Sequence, residues 1–211
     1  MERFIFNVEH WRRFYRANIS RTLVELAAIF PWSDEVLNGP CPFNKNKRVK
    51  ETHLAFFGMP TLIKKRLTVM ALQRLHPPSD QPRFYFSHNP EYAQWPYANE
   101  TTCEARWHLV LKNIVPGSTQ TTARHQEALL PFEYEIPTTI EEVTKDILCF
   151  KLTRARPNPR LWARCREKRS DDHLACAGHF NRNGLGISYW CGAAINGVGL
   201  GASRKLESRL S

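Results

Sequence analysis

Seven of the ten glycines fall between Gly178 and Gly201. From Gly184 to Ser203 the chain carries no charged residue and no histidine, although 24% of all residues are charged. Glycine at that density destabilises any helix and marks tight turns and close backbone approach. "HLACAGHF", "GLGISYW" and "GVGLGAS" are short, partly alternating and joined by glycine. The segment after Asp172 therefore predicts a small, twisted antiparallel sheet with long connections.

Two readings of this stretch fail on their own terms. A phosphate loop needs its lysine directly after the last glycine and a helix beyond. In "GVGLGASRK" Ser203 precedes Lys205 and the sequence ends before such a helix; no βαβ unit follows either. A membrane span would fit the length, but six glycines, two serines and Asn196 interrupt it. No span is expected. The start, "MERFIFNVEHW", mixes charges into its apolar residues and does not resemble a signal peptide, so the default compartment is the cytoplasm.

The 211 residues suit one domain with a substantial core. A formal charge of +10 raises polyanions as partners. The six cysteines form no Cys-x-x-Cys pair and lie at no metal-finger spacing, so they read as reduced, mostly buried thiols.

Between Val8 and Phe30 apolar residues recur at helical spacing, with Arg12, Arg13, Arg16 and Arg21 between them. This predicts one amphipathic helix or two short ones, ended by Pro31. Leu54 to Leu75 reads as a strand and a helix broken at Gly58-Met59-Pro60. Residues 76–100 read as an ordered, irregular segment, rich in proline and aromatics. Two capping boxes announce further helices. Thr101 with Glu104 precedes Trp107, Leu111 and Ile114; Thr139 with Glu142 precedes Ile140, Val143, Ile147 and Phe150. "TTARHQEALLP" adds a further turn or two. The basic stretch Lys151 to Arg169 is barred from continuous helix by Pro157 and Pro159.

Catalysis needs an activated nucleophile, a titratable pair or a metal. Within Gly184 to Ser203 only Tyr189 and Cys191 titrate. The eight histidines are scattered; His173 and His179 share a strand face but sit about 20 Å apart when extended. No catalytic residue, metal ligand or cofactor is expected. Small, adaptable and amphipathic residues without an acid or base suit recognition instead.

"GHFNRNGLGISYWCGAAINGVGLGASRK" resembles the C-terminal end of the variable proteins of diversity-generating retroelements. The family's fixed frame falls on Gly178, Phe180, Gly184, Leu185, Trp190, Gly199, Leu200, Ala202, Ser203, Arg204 and Lys205. "CPFNKNKRVKETHLAFFGMPTL" and "YEIPTTIEEVTKDIL" look like the fixed part of such proteins. The resemblance implies a C-type lectin fold of the formylglycine-generating-enzyme-like kind. It also implies that adenine replacement at asparagine codons writes the residues between frame positions: His179, Asn181, Asn183, Gly186, Ser188, Tyr189, Cys191, Ala193, Ala194 and Asn196. That chemistry does not reach Lys, Glu, Gln, Met or Trp, which fits the absence of charge.

The expectation is an α+β chain, a single domain over 1–211. Its C-type-lectin-like core, with two main helices and a small twisted sheet, spans 101–211, with a variable region at about 173–205. Residues 1–100 form a helical and irregular addition. Its function is to bind a macromolecular ligand, a protein, without catalysis. The alternatives are an oxidoreductase of the formylglycine-generating type acting through Cys176 and Cys191, and a nucleic-acid-binding protein led by residues 151–169. Trp190 is expected to be buried as an anchor of the frame.

Overall fold

The computed structural model describes residues 4–85, 91–168 and 173–206. Its organising element is the helix Thr139–Thr153. Thr138 opens it: its hydroxyl accepts from the Glu141 amide, and the Glu141 carboxylate accepts from the Thr138 amide at 2.8 Å. The capping box thus sits one residue earlier than the Thr139/Glu142 expected. The shift turns Glu142 inward and leaves Glu141 within 3.1 Å of His108 Nδ1. Ile140, Val143, Ile147 and Phe150 are buried as their spacing predicts, but so is every residue from Thr139 to Phe150. A helix buried all round needs cover on every side. Strands from two sheets and the helices Val69–Leu75 and Pro96–Glu100 provide it.

In chain order the sheet strands are β1 (Ile5–Phe6), β2 (His53–Phe57), β3 (Trp107–Leu111), β4 (Tyr134–Glu135), β5 (Trp162–Lys168), β6 (Leu174–Asn181), β7 (Gly184–Trp190), β8 (Val198–Leu200) and β9 (Ser203–Arg204). One sheet runs β1-β2-β3-β9-β4 and the other β7-β6-β5-β8. Two small hairpins stand apart, Pro40–Cys41 with Asn44–Arg48 and Thr61–Leu62 with Lys65–Arg66. The chain is a mixed α+β protein.

Several expectations change. The segment 101–115 is not a capped helix: Trp107 to Leu111 form the middle strand of the five-stranded sheet, buried on both faces. An apolar run covered on both sides has no periodicity to separate strand from helix. Glu104 caps nothing; its carboxylate accepts from Arg106 Nε at 2.6 Å. Residues 1–100 are not an addition to a later core either. β1 and β2 pair into the same sheet as β3, β4 and β9, so that sheet spans both sides of residue 100.

The N-terminal helical pattern resolves into two helices, Val8–Tyr15 and Arg21–Ala28. Arg16, at φ 53°, ends the first, and Ser20 caps the second. Tryptophans pin this region inward: Trp11 Nε1 donates to Phe57 O at 2.8 Å and Trp107 Nε1 to Ala27 O at 3.1 Å. The four arginines between the apolar positions face solvent.

The C-terminal sheet exists as expected, with one difference. β5, β6 and β7 pair antiparallel, but β8 pairs parallel to β5. β7 and β8 lie at opposite edges and run in the same direction. The connection 191–197 must therefore cross one face of the sheet. The helix Thr139–Thr153 covers the other face, so the crossing lies on the outer side. That geometry creates the candidate site.

Candidate functional site: the outer face of the C-terminal sheet

Strand alternation sorts the site. On β7, Leu185 and Ile187 belong to the core, and Tyr189 packs against it. On β6, Ala175 and Ala177 do the same. The opposite face carries Trp162 and Arg164 from β5, Cys176 from β6, and Gly186, Ser188 and Trp190 from β7. The register sets Cys176 beside both Arg164 and Ser188, and Gly178 beside both Trp162 and Gly186.

Arg164 is the hub of this face, 1% exposed. Its guanidinium donates to Cys191 O at 2.8 Å, Ala193 O at 2.7 Å and Gln126 Oε1 at 2.8 Å. Gln126 donates in turn to Ser118 O at 2.6 Å and Val198 O at 3.2 Å. The acceptors around Arg164 are neutral carbonyls, and burial pulls its pKa below the ordinary arginine value. Backbone bonds from Ala123 to Gly192 O (2.8 Å) and from Gln120 to Ile195 O (3.3 Å) complete the support of the crossing loop.

At the β7 edge a cleft of about 480 Å³ opens. It is lined by Tyr85, Glu91, Tyr92, Trp95, Trp162, His179, Asn181, Asn183, Gly184, Gly186, Ile187 and Ser188. A bulge between Gly178 and Asn181 breaks the strand alternation. It puts His179 at φ 47°, exposed and stacked on Trp162 with ring centroids 5.5 Å apart and planes within 4°. His173 and His179 accordingly do not share a regular strand face. Gly184, at φ +132°, makes room for the segment before it: a Cβ there would lie 2.4 Å from the Phe84 carbonyl carbon. That close approach lets Tyr85 donate to Leu185 O and Leu185 to Arg83 O, both at 2.8 Å.

The ten expected ligand positions divide. His179, Asn181, Asn183 and Ser188 line the cleft with exposed or half-buried side chains. Cys191, Ala193, Ala194 and Asn196 ride on the crossing loop held by Arg164, again exposed or half-buried. Two do not suit display. A Cβ on Gly186 would lie 2.5 Å from the Trp162 ring, so glycine is required unless that indole moves. Tyr189 turns inward, its ring centroid 3.9 Å from that of Trp95 and 5.7 Å from that of Tyr97. Ser188 and Tyr189 point to opposite faces of a regular strand.

Trp190 is not the buried anchor expected. It is half-buried on the outer face, 6.3 Å from the Trp162 centroid. The buried frame positions are Gly178, Phe180, Gly184, Leu185, Gly199, Leu200, Ala202 and Ser203. Sequence reasoning also missed Trp162 and Arg164, hidden inside a stretch read as uniformly basic, and the cleft wall Glu91–Trp95.

Free cysteines fill the interior: Cys41, Cys103, Cys149, Cys165 and Cys176 are buried and Cys191 is half-buried. Burial pushes the Cys176 thiol up to about 12. The basic stretch disperses. Arg164 is buried, Arg156 lies over the Phe150 ring at 4.7 Å, and Arg166 meets Glu135 at 3.0 Å. Arg169 lies outside the described residues. Among the described residues no group of three His, Cys, Asp or Glu is placed to hold a metal, and no helix is long and apolar enough to cross a membrane. No family model, curated protein or solved structure matches this chain.

Proposed function

We propose that this chain is a C-type-lectin-like ligand-binding protein. The outer face of its C-terminal sheet displays residues diversified by a retroelement, and its ligand is another protein. The observation that carries the reading is the placement of the variable residues. His179, Asn181, Asn183 and Ser188 line the cleft, Cys191, Ala193, Ala194 and Asn196 lie on the crossing loop, and all eight are exposed or half-buried. Substitution at such sites usually changes stability by less than about 0.5 kcal/mol. The surface offers hydrogen-bonding amides and stacking rings; among the described residues no lysine or arginine lines the cleft, and Glu91 does.

The two alternatives find less support. A formylglycine-generating reaction needs a reactive thiolate, and burial holds the Cys176 thiol protonated. A nucleic-acid groove needs its cations on one stripe; those of residues 151–168 face different ways.

The genome tests the proposal. An imperfect copy of the coding sequence for residues 178–205 is expected near a reverse transcriptase gene. It should carry asparagine codons at the eight displayed positions and keep glycine and tyrosine codons at Gly186 and Tyr189. A complete genome without such a copy overturns the retroelement reading.

A further inference from the structure

Far along the chain from the variable face, the hairpin Thr61–Leu62/Lys65–Arg66 closes through a two-residue turn. Both turn residues have left-handed backbones, Ile63 at φ 50° and Lys64 at φ 61°. Asn-Gly is the usual solution for this turn. A β-branched residue there is strained, and a strained residue kept at a surface points toward function. Ile63 is also 61% exposed, so burial does not offset the strain. Beside it runs a groove of about 430 Å³ between the hairpin and the helix Val69–Leu75. Its apolar lining includes Ile63, Leu67 and Leu75; Lys65, Arg66 and Arg74 line it too, and among the described residues no acidic side chain does.

We propose that this groove is a docking site for an acidic, amphipathic segment of a partner protein. Its apolar side chains enter between Ile63 and Leu75, and its carboxylates meet Lys65, Arg66 and Arg74. Charge complementarity selects an acidic occupant. The concave apolar lining selects a segment with projecting side chains, where a bilayer surface would bridge the groove without filling it.

The experiment uses the full chain and two labelled model helices, one with leucine on one face and glutamate elsewhere, the other with lysine for glutamate. Vesicles of phosphatidylserine and phosphatidylcholine form a third arm. The Leu/Glu helix is expected to bind at least about tenfold tighter than the Leu/Lys helix. Ile63→Asn leaves every charge in place and relieves the turn. It is expected to raise the melting temperature yet weaken the Leu/Glu helix at least about tenfold. Arg74→Glu should weaken it comparably. Failure of the Leu/Glu helix to bind, or equal binding by Ile63→Asn, overturns the proposal. Binding to the vesicles without binding to the helix replaces it with a membrane contact.

Discussion

Lys145→Met is expected to destabilise the protein by about 3–5 kcal/mol, the usual result of removing one partner from a buried ionic group. Lys145 has no exposed surface. Its ammonium lies 2.6 Å from Glu142 Oε1 and 2.7 Å from Asp146 Oδ1, and donates to Lys112 O at 2.8 Å. Burial alone would lower its pKa, but the two carboxylates prevail and hold it above the usual lysine value. Burial raises both carboxyls, so the group retains protons that free carboxylates would release. Glu142 Oε2 and Asp146 Oδ2 have no hydrogen-bond partner among the described residues.

Methionine fills the lysine's volume but leaves the two carboxyls without their cation. Their folded-state pKa values rise further above the unfolded ones. The variant is then most stable below the ordinary carboxylate range and loses stability as pH rises through and beyond it. Urea unfolding at several pH values measures both effects. Replacing all three groups, with Glu142→Met and Asp146→Leu added, should recover most of the loss, because an apolar set of similar volume has no desolvation cost. A single variant as stable as the wild type would mean that the triad is hydrated in solution.

Arg164→Met should be the second large effect, on the order of 3 kcal/mol, with a local signature. It strips the donors from Cys191 O, Ala193 O and Gln126 Oε1 at once, and buried acceptors left unmade cost about 1–3 kcal/mol each. Relaxation of the loop toward water recovers part of that. Amide exchange should accelerate at Ala123 and Gln120, whose amides donate to Gly192 O and Ile195 O, while β5 to β7 stay protected. Arg164→Lys should fall between the two, since an ammonium cannot reach this set of carbonyls with a planar fork. Uniformly faster exchange across the whole sheet would show that Arg164 supports the fold at large and not the loop.

The sequence was informative where an element carries its own local signal. Glycine density and partial alternation located β6 and β7, and the apolar spacing of Trp11, Phe14 and Leu23 against exposed arginines located the first two helices. It was misleading where elements are buried on both faces. Trp107 to Leu111 carry a helix-like capping signal at Thr101 and Glu104, yet only the neighbouring strands decide that they pair. The same limit hid the polar interior of Thr139–Thr153, because Glu142, Lys145 and Asp146 look like a solvated charge run until two sheets close over them. At the candidate site, the asparagines and alanines expected from the sequence to be displayed are exposed or half-buried. Gly186 and Tyr189 were not separable from them, because the reasons they cannot vary are the Trp162 and Trp95 rings, which arrive from other parts of the chain. Arg164 reads as one more cation in a basic stretch; only the crossing of 191–197 makes it a clamp.

The central claim is that this surface accepts variation because its side chains do not decide the fold. A pair of libraries tests it directly, one randomised at His179, Asn181, Asn183, Ser188, Cys191, Ala193, Ala194 and Asn196, the other at Gly186 and Tyr189 alone. Each is displayed and sorted for protease-resistant, folded protein. Most members of the first library should fold, and most of the smaller second library should fail, since a Cβ at Gly186 would have to displace the Trp162 indole and Tyr189 packs on Trp95. If the first library collapses, or the second survives as well as the first, the outer face is not a display surface.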